Sequence, residues 1–140
     1  MKKFDKIDDE VIELFKRKNF AFVGTLTKDG SPQVIPTWVD YKDGFILINN
    51  VIGRQIQKNV DRDPRISVAV NDRENPYKMV SIRGTVVEQI TKNANEQLDE
   101  LSHKYFGMPY PFHSPTEQRV IIKVKPEKVF GLSIEPPTRR

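Results

Sequence analysis

The chain has 140 residues, 37% of them hydrophobic and 30% charged, with no cysteine, two histidines and a formal net charge of +4. That length suits one domain spanning residues 1–140 with a real core. The composition excludes a disulfide framework, a thiolate nucleophile and a cysteine-type zinc site, and two histidines are too few for a histidine-based metal cluster without carboxylates. No apolar run nears the roughly 20 residues of a membrane span, and no apolar segment follows Met1-Lys2-Lys3, so the expected location is the cytoplasm, away from membranes. The excess of positive charge suits an anionic ligand, but the basic residues are scattered, so nucleic acid is not the expected partner.

In chain order, Asp8-Asp9 before Val11, Ile12, Leu14 and Phe15 predicts an N-capped amphipathic helix ending near Asn19. Phe20 to Thr27 reads as a strand, Lys28-Asp29-Gly30-Ser31 as a tight turn, Gln33 to Tyr41 as a second strand and Phe45 to Ile48 as a third. Short loops between them predict an antiparallel meander. Pro36 lies inside the second strand and cannot donate to a ladder, which predicts an edge, a bulge or a place where strands part. Alternation sets Val34, Pro36, Trp38 and Asp40 on one face and Gln33, Ile35, Thr37 and Val39 on the other.

After Gly53 the pattern turns helical, with Ile52, Ile56 and Val60 four apart, and Asp61-Arg62-Asp63-Pro64 ends that helix. Arg65 to Val70 is a fourth strand, and Asn71 to Pro76 a polar turn. Tyr77 to Ile90 is a long strand with a bend expected at Gly84. Thr91 to about Phe106 is a helix with Leu98, Leu101 and Tyr105 inward, and 107–115 an irregular aromatic loop. Arg119 to Val124 and Lys128 to Ile134 are two strands or one bent strand around Pro126. Short antiparallel strands with bends favour a small barrel with helical caps.

Where the third strand meets the second helix, Asn49-Asn50 and Gly53-Arg54 precede Lys58. Arg54 and Lys58 are like charges four apart, which costs an isolated helix roughly 0.2–0.5 kcal/mol. The first turn of a helix offers unpaired N–H groups and a positive dipole end, so an anion such as phosphate would account for both cations. On spacing alone a solvated basic face is the favoured reading.

Dinucleotide, P-loop, hydrolase-elbow and zincin motifs are absent. Ser81, Ser102 and Ser133 have no base placed beside them by a motif and read as surface or strand residues. His103 reads as a helix-end residue and His113 as loop packing. Asp61, Asp63 and Asp72 read as cap and turn residues, and Trp38 as core. No catalytic residue emerges. The pattern fits a protein that holds a phosphate-bearing cofactor whose own chemistry is used.

Phe22-Val-Gly-Thr-Leu-Thr-Lys-Asp-Gly-Ser-Pro-Gln-Val-Ile-Pro-Thr-Trp-Val39, Gly53-Arg54, Asn59, Asp63-Pro64-Arg65-Ile-Ser-Val68, Asn75-Pro76-Tyr77 and Ile82-Arg-Gly-Thr-Val86 together resemble the pyridoxamine 5′-phosphate oxidase-like flavin-binding split-barrel superfamily. The short chain and Asn75-Pro76-Tyr77 look most like its coenzyme F420-dependent branch. The resemblance implies a mainly β fold, a six-stranded antiparallel split β-barrel with α-helical caps, and a homodimer with FMN or coenzyme F420 at its interface. It places the cofactor phosphate near Asn49, Asn50, Gly53, Arg54, Gln55 and Lys58, and the ring system beside Ile35, Pro36, Thr37 and Trp38, with Met79 approaching it. The family's helix start commonly carries a lysine two residues after the arginine; here that position is Ile56, and Lys58 is the expected substitute. Lys78, Arg83, Arg139 and Arg140 are candidates for the longer tail of the deazaflavin.

The implied activity is a flavin- or deazaflavin-dependent oxidoreductase acting on a small electrophilic organic substrate, with solvent or the Tyr110 hydroxyl supplying the proton. A non-catalytic cofactor carrier or sensor, and pyridoxamine 5′-phosphate oxidase activity with FMN, are the alternatives.

Overall fold

A computed structural model describes residues 1–138; Arg139 and Arg140, named above as candidates for the cofactor tail, lie outside the described residues. The elements are β1 (Lys2–Phe4), α1 (Asp9–Lys16), β2 (Ala21–Leu26), β3 (Pro32–Thr37), β4 (Asp40–Lys42), β5 (Phe45–Val51), α2 (Gln55–Arg62), β6 (Arg65–Asn71), β7 (Lys78–Ile90), α3 (Ala94–Phe106) and β8 (Arg119–Ser133). All strand pairs are antiparallel, in the order β3-β2-β6-β7-β8-β5-β4, with β1 on β8. Six strands have six or more residues, as expected, and the other two, β1 and β4, are three-residue additions.

β3 and β4 stand at opposite ends of that order, yet only Trp38 and Val39 separate them in the chain. Three Cα steps span at most about 11 Å. The two ends of the sheet are therefore held together and the sheet must roll up. Here the structure corrects the predicted meander: β2 pairs β3 and β4 pairs β5, but among the described residues β3 pairs with neither β4 nor β5. The second predicted strand is in fact two, parting just after Pro36 and Thr37. The barrel is split along that line.

The interior follows from alternation. Val23, Val68, Val70, Val80, Ile82, Ile46, Ile48, Ile122 and Val124 are fully or almost fully buried, each worth roughly 1.5–3 kcal/mol. β8 is the spine, pairing β7 along one edge and both β5 and β1 along the other. It runs unbroken through Pro126, one bent strand where two were also possible.

Helix α1 is capped by Asp8, whose Oδ1 accepts from the Val11 amide at 3.0 Å, and packs Val11, Leu14 and Phe15 on the core. Helix α2 sends Ile56 and Val60 inward, and its fully buried Asn59 donates to Thr25 Oγ1 at 3.0 Å. Helix α3 buries Leu98, Leu101 and also Ser102, four residues after Leu98 on the same face, so Ser102 is neither a surface nor a strand serine.

The end of α3 is fastened to the split. The Tyr105 hydroxyl donates to the Asn19 carbonyl at 2.6 Å and accepts from the Val39 amide at 3.2 Å, while Lys104 Nζ donates to the Phe15 carbonyl at 2.7 Å and to that of Val39. Desolvation pushes the Lys104 ammonium down from 10.5 to about 8, and the Tyr105 phenol up from 10.0 to about 12.

Two measurements test this framework. Gly84 lies at a register shift between β7 and β8, and a Cβ there would collide with the Lys125 carbonyl oxygen and press on Val124. Gly84→Ala should cost about 2 kcal/mol in urea unfolding. For Lys104, the unfolded chain binds more protons than the folded one between about pH 8 and 10.5, so stability rises with pH there; for Tyr105 the unfolded phenol ionises first above about pH 10, so stability falls. The urea midpoint should climb from pH 8 towards 10 and then turn down, with Lys104→Met flattening the climb and Tyr105→Phe the descent.

Candidate functional site

The split leaves two strand edges without partners. Among the described residues, β5 beyond Leu47 has one edge on β8 and the other free, and β3 is hydrogen-bonded on one side by β2 alone. A cleft of about 400 Å³ opens between them, lined by Pro36, Thr37 and Trp38 of the β3 end, Asn49 and Asn50 of β5, Arg54 before α2, and Arg119 at the start of β8. Phe20, Leu98, Leu101, Phe106, Tyr110 and Phe112 complete its wall.

One side is aromatic. Trp38 stacks on Tyr105 with centroids 5.0 Å apart and planes 4° from parallel, and Phe106 and Tyr110 meet its ring edge-on at 4.7 and 6.0 Å. Trp38 is half-buried, neither core nor free. The loop that carries Tyr110 is held to α3 by Asp99, whose Oδ1 accepts from the Tyr110 amide at 2.9 Å and pairs with His113 Nε2 at 2.8 Å. The His113 hydrogen bond, ahead of that from Tyr110, lowers the Asp99 carboxyl below the ordinary range.

The other side is polar. Asn49 is buried, with Nδ2 donating to the Ala94 carbonyl and to Gln97 Oε1, both at 2.8 Å, and Oδ1 facing Arg119 Nη1 at 3.4 Å. Arg119 is only 9% exposed, against 52% for Arg54, and its guanidinium lies 5.4 Å from the Tyr110 ring centroid. Glu117 bridges the two arginines: Oε1 accepts from Arg54 Nη2 at 2.9 Å and Oε2 from Arg119 Nη2 at 3.1 Å. Asn50 Oδ1 is buried and has no hydrogen-bond partner among the described residues. Arg54 is the N-cap of α2 yet makes no side-chain capping bond, and no acidic residue stands in that first turn. Two guanidiniums and a helix start suit an oxyanion, and the orphaned acceptor beside an aromatic wall suits a planar ring that carries a hydrogen-bond donor.

Of the residues the sequence singled out, Pro36, Thr37, Trp38, Asn49, Asn50 and Arg54 meet in this cleft. The others do not. Ile35 points into the barrel and packs on the core. Gly53, at φ +94°, is a turn glycine whose amide donates to Gln57 Oε1 at 2.8 Å. Gln55 donates to Asn59 Oδ1 at 2.7 Å. Lys58 is exposed on α2 outside the cleft, and Ile56 is buried in the core, so neither position brings a second cation; Arg119 does. Met79, on β7, lies three strands from β3, roughly 14 Å across the sheet. Lys78 pairs with Glu10 at 3.2 Å, and Arg83 lines a separate apolar groove of about 500 Å³ on the outer face with Gly24, Val34 and Ser67. Sequence reasoning missed Arg119 and Glu117, whose only local signal is a charged pair just before the apolar run of β8.

A family model described as pyridoxamine 5′-phosphate oxidase matches residues 7–133. No curated protein sequence matches the chain. Among solved structures, an F420 reductase is 24% identical with a TM-score of 0.78, covering 88% of this chain and 98% of its own. A conserved hypothetical protein of Mycobacterium tuberculosis is 20% identical with a TM-score of 0.72, covering 92% and 86%. A FAD-binding protein of Mesorhizobium loti is 19% identical with a TM-score of 0.66, covering 94% and 97%. At these identities the structures show a shared fold, the split barrel. The family match spans nearly the whole chain, which belongs to the pyridoxamine 5′-phosphate oxidase family.

Proposed function

We propose that this protein is a flavin- or deazaflavin-dependent oxidoreductase that binds FMN or coenzyme F420 in the cleft of the split and acts on a small electrophilic organic substrate. The observation that carries the reading is the convergence of Arg54 and Arg119 on one anion seat beside the Trp38–Tyr110 wall. When bound, the reduced cofactor supplies the hydride. The chain's own residues bind and orient: the two guanidiniums hold the phosphate, Asn50 Oδ1 accepts a donor, and Pro36, Thr37 and Trp38 border the ring. The aromatic wall keeps water from one side of the cleft, and solvent or the Tyr110 hydroxyl supplies the proton.

The same reading includes a homodimer in the cytoplasm. Cross-strand pairing lines up Pro36, Phe22, Ala69, Ser81 and Phe130 across the outer face. Phe22 and Phe130 are 44% and 63% exposed there, an apolar row that a second copy would cover. Among the described residues no helix is long and apolar enough to cross a membrane.

Fluorescence titration with FMN and with F420 tests the cofactor. Arg54→Ala should weaken binding about tenfold or more, since a charge-assisted contact to phosphate is lost; unchanged affinity would remove the phosphate assignment. Tight binding without hydride transfer to any of a panel of acceptors would make the protein a carrier. Phe130→Glu should shift the sedimentation coefficient from dimer to monomer, and a wild-type monomer would rule out the dimer.

A further inference from the structure

We infer that Glu117 is an internal occupant of the anion seat, a carboxylate that holds the place of the cofactor phosphate and is displaced when the phosphate binds. The inference rests on the reading of the cleft given above.

Arg119 is charged and nine-tenths buried, and such a guanidinium needs an anion. Its other contacts are a neutral amide oxygen at 3.4 Å and the face of an aromatic ring. Glu117 supplies the missing charge. It does so with one oxygen on each arginine, the geometry in which a phosphate with separate oxygens would join the same two groups. The pair it makes with Arg54 is half exposed and correspondingly weak.

Glu117 has somewhere to go. It lies two residues before β8 on the loop after α3, and it lines a second, polar cavity of about 430 Å³ together with Thr91, Asn93, Asn95 and Thr116. Arg119 lines both cavities, so the bridging carboxylate sits at their junction. The second cavity adjoins the start of α3, where the N-cap Asn93 makes no side-chain capping bond and the first turn carries Glu96. Displacement is a side-chain swing from between the two arginines into that polar cavity, which Arg119 also borders. Removing the charge at position 117 would leave the two guanidiniums unopposed and open to an external anion.

The test is calorimetric titration of wild type, Glu117→Gln and the double variant Arg54→Ala/Glu117→Gln with FMN, F420 and inorganic pyrophosphate, with riboflavin as a phosphate-free control and thermal melts to confirm folding. Glu117→Gln should bind each phosphate-bearing probe about tenfold more tightly, leave riboflavin unchanged, and lose the gain in the double variant. Equal or weaker binding by Glu117→Gln, with wild type still binding a cofactor, overturns the inference, because Glu117 then orients the arginines, and leaves the cofactor reading in place. Tighter pyrophosphate binding with no affinity for FMN or F420 in any protein supports the internal occupant and removes the cofactor reading. Binding of none of the three removes both.

Discussion

Three backbone steps carry the chain from Thr37, at one end of the sheet, to Asp40, at the other. Most of what distinguishes this molecule depends on that crossing. A sheet whose first and last strands are tied so closely must roll up, yet among the described residues β3 pairs with neither β4 nor β5. The barrel therefore has a seam with unpaired backbone on both sides. Helices α2 and α3 cover it, and Tyr105 and Lys104 bind the backbone of Val39 at the crossing itself. Covering elements that touch the seam at a few polar points leave a cleft between them.

The polarity of that cleft follows from the same geometry. A strand edge facing a cavity brings side chains that can satisfy backbone and one another, which is the position of Asn49 between Ala94, Gln97 and Arg119. The helix that closes the barrel end begins beside the seam with its first turn free of acidic residues. Positive charge thus accumulates from three sources: Arg54, Arg119 and the helix start. Within the chain, Glu117 is the group that answers it.

How much of this was legible in the sequence depended on range. Local signals worked: Asp8 as a cap, Ile56 and Val60 as the apolar stripe of α2 (Ile52, expected with them, lies before the helix and is exposed), the Gly84 bend, and Pro36 as a place where strands part. Asn49, Asn50 and Arg54 lie close together at a strand end and helix start, but spacing alone favours a solvated basic face, and it is the family resemblance that points to them. The meander failed because alternation continues through Trp38 and Val39; Pro36 marks a parting nearby, but nothing local says which edge of the sheet the chain joins next. Arg119 was invisible for a related reason: it reaches the cleft only because β5 pairs with β8, with Val51 opposite Arg119, across about half of the chain length. The resemblance implies Lys58 as the second cation in place of a lysine at Ile56, yet the face of α2 that carries Ile56, Asn59 and Val60 is the buried one, and Lys58 lies on the exposed side, as spacing alone favours.

Pro36 connects the seam to the outer face. It lines the cleft, and it also begins the cross-sheet row that continues through Phe22, Ala69, Ser81 and Phe130. Lacking an N–H, it leaves that position of the edge unable to donate to an added strand, a common protection against edge-to-edge pairing. The edge is therefore less suited to docking than the face. A body seated on the face would reach the cleft mouth at Pro36 without adding a strand to the sheet. Cleft and apolar row are consequently neighbours by construction, joined by one residue on the strand that leaves the barrel.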